Sequence, residues 1–255
     1  MVSITSVDLL SLATSLPYAV QLASVSNITD IKFLSYNSTF ETGILGPNAS
    51  ATLLHQEPYQ AFHEAGVYNR ATNSIYITSN YQAGGWVDNP INITVLNLTD
   101  YSLKSVRYDG LHEANGGCPY YPSYVDPTAP ASEQLILFCD EGDFINPSAL
   151  TLVDPVTNST QAILTSFLGR NFSSINDVKQ HPETGDLWFT DAQYGYFQDF
   201  RPKPSIPPQV YRFEPRTGVV KVVADGFVQP NGIEFSPDFK TLYVIILIQF
   251  LLLPD

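Results

Sequence analysis

An all-β fold of four-stranded blades set around a central axis, a β-propeller, is predicted by three features of the sequence. One phrase recurs: HEAGVYNRATNSIYITS from His63, INDVKQHPETGDLWFTD from Ile175 and PNGIEFSPDFKTLYV from Pro230. A second phrase interleaves with it, ALTLVDPVTNSTQAILTSF over 149–167 and QVYRFEPRTGVVKVVADGF over 209–227, joined by an acid-Pro-x-Thr turn. Finally, 19 prolines and 15 glycines punctuate the whole chain, and helical periodicity is hard to find. Repeated four-strand units of this length are what propeller blades write. A sandwich or a stack of unrelated hairpins is the competing architecture, and gap-free coincidence of two phrases argues against it.

The elements follow in order. With Glu64, Asn176 and Asn231 at position zero, Ile75, Leu187 and Leu242 stand eleven residues on. Tyr76, Trp188 and Tyr243 stand twelve on, and Ile77, Phe189 and Val244 thirteen. Between zero and eleven lies a turn, NRATN, HPETGD or SPDFKT, so each copy reads as a β-hairpin. ITVLNLTDYSLKSVRYDG (93–110) is a looser example of the second hairpin. Position zero moves by 112 residues and then by 55, which implies a skipped copy starting near residue 120. EQLILFCDEG (133–142) supplies its apolar strand, with no visible residue at position zero. HEANGGCPYYPSY (112–124) reads as a connection between blades, with a substrate-side loop as the alternative. Four position-zero sites by residue 231 make about four blades. The expected organisation is an atypical signal or N-terminal segment over 1–26, a partial propeller over 27–244 and an aberrant apolar tail over 245–255.

Composition limits the partners. A formal charge of −13 disfavours nucleic acid and anionic membranes, which need a basic surface. The apolar run that ends the chain is too short to span a bilayer. Oligomeric state is not legible. Seven asparagines head Asn-x-Ser/Thr sequons (Asn27, Asn37, Asn48, Asn92, Asn97, Asn158 and Asn171), more than chance gives, and point to a secreted glycoprotein. In that setting the only cysteines, Cys118 and Cys139, suit one disulfide. No Gly-x-Ser-x-Gly elbow, phosphate-binding loop or His-Glu-x-x-His helix occurs.

Equivalent positions in successive blades face the channel at one depth, so Glu64, Asn176 and Asn231 are expected to converge. One carboxylate and two amide oxygens suit Ca²⁺, or another hard divalent cation, better than zinc. The bland alternative is that each Asn caps its own turn. Asp177, Asp191 and His63 flank these positions and are expected behind or beside the ligands, on the substrate side. A turn acid and a strand-end acid are the plain readings of the first two.

The stretches SINDVKQHPETGDLWFTD, QPNGIEFSPDFKTLYV and FHEAGVY resemble the senescence-marker-protein (SMP-30)/gluconolactonase family of six-bladed propellers, especially its secreted fungal-type lactonase-like members. The resemblance runs from about Phe62 to Val244. It implies a central divalent metal, usually calcium, held here by Glu64, Asn176 and Asn231, and hydrolysis of a lactone or related ester. In that chemistry the metal polarises the carbonyl, and a carboxylate activates water or attacks. The family's further Asp, from a later blade, has no match. Where earlier copies close with Thr78-Ser79 and Thr190-Asp191, the last gives Ile245-Ile246. The expectation is therefore a C-terminally truncated, incomplete propeller, poorly active or inactive, with its catalytic residue unassigned. A non-catalytic secreted propeller, binding a ligand or partner around a structural metal, is the alternative.

Overall fold

The computed structural model describes residues 3–8, 10–11, 32–80, 90–122 and 130–246. Two compact units divide the chain, Met1–Pro58 and Tyr59–Asp255. The first holds a parallel pair, β1 (Ser3–Ser6) and β2 (Lys32–Ser35), and a π-helical turn at Phe40–Leu45. Most of the 1–26 segment, Asn27, Trp86 and residues 247–255 fall outside the described residues.

The second unit is all-β. Three antiparallel sheets of four strands follow one another: β3 (Glu64–Asn69), β4 (Ser74–Thr78), β5 (Ile93–Asn97) and β6 (Leu103–Val106); β7 (Ala114–Tyr120), β8 (Leu135–Asp140), β9 (Ala149–Val153) and β10 (Thr160–Leu164); then, after the short hairpin β11 (Ser166–Phe167) and β12 (Arg170–Asn171), β13 (Ile175–Gln180), β14 (Leu187–Asp191), β15 (Gln209–Glu214) and β16 (Val219–Ala224). A two-stranded hairpin, β17 (Pro230–Phe235) and β18 (Leu242–Ile246), comes last among the described residues. Each four-stranded sheet is a simple up-and-down meander, and the first strands β3, β7, β13 and β17 pack side by side in chain order. This is propeller architecture, with three full blades and the inner hairpin of a fourth among the described residues.

Local chemistry accounts for the elements. Strand β4 alternates buried and half-buried residues, as a blade strand with two packed faces of unequal depth does. Strand β8 is buried along nearly its whole length, because it is the second strand of the middle blade and is covered on both faces. Turns are closed by side chains: Asn69 Oδ1 accepts from Thr72 N at 3.1 Å, and Asp154 Oδ1 from Val156 N at 2.8 Å. Apolar layers fill the gaps between blades. One joins Val67, Tyr76, Val95, Ile136 and Phe138; the other joins Leu137, Leu150, Ile175, Phe189 and Tyr211. In the second, Phe189 stacks on Tyr211 and meets Phe172 edge-on, both at 5.3 Å.

Two expectations are corrected here. The skipped copy begins with β7, so Ala114–Tyr120 is an inner strand and not a connection between blades. Its zero residue is Asn115: the first register pairs are Ala114 with Asp140 in this blade and Ile175 with Asp191 in the next. Cys118 and Cys139 are free thiols, both fully buried. Cys118 stands opposite Leu137, which puts Cys139 at a diagonal position on the same face. Diagonal neighbours are about 7–8 Å apart, beyond the reach of a disulfide. Both thiols belong to the apolar layer.

Candidate active site

The inner hairpins deliver their zero residues to one place. Glu64, Asn115, Asn176 and Asn231 line a single cavity of about 330 Å³, together with His63, Ser79, Asn80, Glu141, Tyr194 and Gln198. The zero residues thus come together, and they number four where three were expected. Each sits beside a bulge, where the ladder skips before strand pairing resumes. A bulge bends the strand and re-aims a side chain, which turns these four toward the axis. Between β7 and β13 the approach is so close that only glycine fits at 116. A Cβ there would stand 2.9 Å from Asp177 Cα and closer still to the Asn176 carbonyl oxygen.

The donors differ in what already holds them. Asn176 is 2% exposed, and its Oδ1 is buried with no hydrogen-bond partner, while its Nδ2 donates to Asn115 Oδ1 at 3.4 Å. Asn231 donates Nδ2 to the Tyr194 hydroxyl at 3.2 Å, which leaves its oxygen as the amide's acceptor. Glu64 is half-buried, and His63 Nδ1 lies 3.5 Å from its Oε1. Burial, then the charge of Asp177, push the Glu64 carboxyl above its usual range, and burial pulls His63 down. Asn115 donates Nδ2 to Glu141 Oε1, so it holds that carboxylate in place.

Glu141, 1% exposed, was not visible as a site residue in the sequence. Its other oxygen accepts from Ser174 Oγ, which also accepts from Gly195 N at 3.1 Å. Burial pushes the Glu141 carboxyl up to about 7 against those two donors. Tyr194 comes from the one-turn helix Tyr194–Phe197, and after burial the charges of Glu141 and Glu64 both raise its hydroxyl. Arg201, nearby and buried, directs its guanidinium to four main-chain oxygens, those of Asp143, Asn146, Phe172 and Ser173.

Of the flanking residues, His63 reaches the cavity. Asp177 and Asp191 do not line it. Asp177 accepts from Val178 N at 2.8 Å and from Ile233 N at 3.0 Å, tying β13 to β17. Asp191 accepts from Ser173 N and Ser174 N, and Asp140 does the same for His112 N and Glu113 N one blade earlier. The strand-end acid is thus a clamp shared by the second and third blades, on the chain entering each of them. At the matching place in the last hairpin stands Ile246, paired with Pro230 and 47% exposed. Among the described residues no group of three His, Cys, Asp or Glu side chains can hold a metal, so a cation here has to draw on amide oxygens. An all-oxygen set of one carboxylate and two amides, one oxygen of it orphaned, fits a hard cation.

Residues 121–247 match the SMP-30/Gluconolactonase/LRE-like region. The chain belongs to this family. It is 32% identical over 225 residues to the lactonohydrolase oryL of Aspergillus oryzae, a match that covers 86% of this chain and 48% of that protein. It is also 33% identical over 98 residues to the gluconolactonase of Zymomonas mobilis, across 38% of this chain and 27% of that one. This family member superposes on the structure of a Xanthomonas campestris gluconolactonase with a TM-score of 0.55 at 21% identity, over 73% of this chain and 55% of that one. It therefore spans about half the length of its curated relative oryL. No described helix is long and apolar enough to cross a membrane.

Proposed function

We propose that this family member hydrolyses a lactone or related small ester at a divalent cation, Ca²⁺ by the hardness of the donors, held by Glu64, Asn176 and Asn231. The observation that carries this reading is the Asn176 Oδ1, buried beside the cavity with no partner. A buried polar atom left unsatisfied costs about 1–3 kcal/mol, and a cation satisfies it. The names of the relatives supply the substrate class. When bound, the cation polarises the substrate carbonyl. Around it, Asn231 is fixed by Tyr194, and Asn115 and Asn176 are fixed against each other. His63 and Gln198 line the cavity beside Glu64 and Tyr194, within reach of a polar substrate. Secretion goes with this reading: Asn37, Asn48, Asn158 and Asn171 are exposed sequon asparagines open to glycosylation.

The test is calorimetric titration of Ca²⁺ into wild type and Asn176→Ala, with lactone opening followed by acid release before and after chelation. Saturable binding lost in the variant, and hydrolysis lost on chelation, support the reading. Equal affinity in both proteins rejects the ligand set, and no hydrolysis of any sugar or aliphatic lactone rejects the activity. A second reading, a non-catalytic binding propeller with a structural cation, is favoured by Ile246 standing where Asp140 and Asp191 clamp the earlier blades. Cation binding without hydrolysis is its signature.

A further inference from the structure

Resting on the hydrolase reading, the geometry points to Glu141 as the residue that moves the proton in lactone opening. Among the described residues two carboxyl side chains line the cavity, Glu64 and Glu141. Glu64 is the one charged group of the cation set, and a carboxylate bound to a cation is a poor base. Glu141 lies on another element, just past β8. Asn115 Nδ2 holds one of its oxygens and Ser174 Oγ the other, so its direction is fixed from two blades. The groups that act on it are Asp140 next to it in the chain, Glu113 before β7, Arg201 beyond the Tyr194 helix, and the Tyr194 hydroxyl. Arg201 supplies positive field without a direct ion pair, since its donors go to carbonyl oxygens.

The step balances. The Glu141 carboxylate takes a proton from water as the water oxygen bonds to the lactone carbonyl carbon, whose π pair moves to its oxygen. As the carbonyl re-forms, the ring C–O bond breaks, its electron pair leaves on the ring oxygen, and that oxygen takes the proton from Glu141. One water is consumed, a hydroxy acid leaves, and the carboxylate is restored.

Glu141→Gln keeps the shape and an acceptor for Asn115, and removes the base. The 255-residue chain is assayed on a lactone panel from pH 5 to 9. Wild-type kcat/KM is expected to rise through about 7, where Glu141 ionises. In the variant kcat is expected to fall about 100-fold or more, with KM within about threefold and the acidic limb gone. Ser174→Ala, which removes a donor to the ionised form, is expected to move the limb to higher pH. Glu141→Ala supplied with formate is expected to regain activity in proportion to formate, a response that a structural role does not produce. Near-ultraviolet circular dichroism separates misfolding from lost chemistry. A wild type that hydrolyses lactones, with Glu141→Gln folded and within threefold of it, overturns the role of Glu141 and leaves the hydrolase reading standing. An inactive wild type overturns both. A variant that misfolds is replaced by the formate series, where absence of rescue counts against the proposal.

Discussion

Thr190 Oγ1 donates to the main-chain carbonyl of Asn231 at 2.8 Å, across the boundary between the third blade and the last hairpin. The same bond joins the first blade to the second, from Thr78 Oγ1 to the Asn115 carbonyl at 2.9 Å. Cys139 occupies the equivalent place in the middle blade, and Ile245 in the last hairpin. A site residue is therefore held by the strand of the blade before it, so packing between blades and cavity geometry are one structure. Thr190→Val removes this part-buried bond and also the acceptor of the Asp177 N–H, at a cost of about 1–3 kcal/mol. The denaturation midpoint is expected to fall accordingly, and Ca²⁺ affinity to weaken through misplacement of Asn231. Unchanged affinity in a destabilised variant would separate the two effects and reject the coupling.

Three buried carboxyls, Glu113, Glu141 and Asp191, are each raised to about 7, with burial the first cause in every case. Between their ordinary values near 4 and about 7, the folded chain keeps protons that the unfolded chain has released. Stability from these groups is present at the acidic end of that window and lost as pH rises through 7. The melting temperature of the cation-free protein is thus expected to fall steadily from pH 4.5 to 7.5. Asp191→Asn removes one titrating group without touching the cavity lining, and its melting temperature should depend less steeply on pH. A rising profile, or identical slopes, contradicts the assignment.

The sequence shows the blades where turn and strand spacing is regular, and hides them where a loop changes length. Thr190 follows Asn176 by 14 residues, and Cys139 follows Asn115 by 24. That longer excursion after β7 broke the pattern by which Asn115 could be recognised. The fold needs only strand pairing, which tolerates a long surface loop, so the missed copy folds like its neighbours. Glu64, Asn176 and Asn231 were legible because each stands eleven residues before the same apolar triplet, with no gap between. Glu141 was not, because its role depends on Ser174 and Asn115 arriving from other strands. Asp177 and Asp191 look alike in sequence to site acids, and only their backbone partners reveal them as clamps.

Both thiols are buried and pushed up by desolvation, Cys118 to about 12 and Cys139 well above its usual range. A thiol held neutral and out of solvent is a poor nucleophile. A thiol-reactive chromophore is expected to count no cysteine in the native protein and two after denaturation without reductant. Two thiols absent from the second count would restore the disulfide. The melting temperature is likewise expected to ignore reductant.

Gly116 sits where β7 crosses β13, and its space is closed by the Asn176 carbonyl and by Asp177 Oδ1, which lies 2.8 Å from the place an alanine methyl would take. Backbone cannot retreat as a flexible side chain can, so Gly116→Ala has to separate the two inner strands. Overpacking of this kind costs about 1–3 kcal/mol, and here it also moves Asn115 and Asn176 apart. The loss of Ca²⁺ affinity is expected to exceed that of Gly43→Ala, whose Cβ meets nothing within 4 Å. Equal stability and affinity for the two variants would mean that the approach of β7 to β13 does not shape the site.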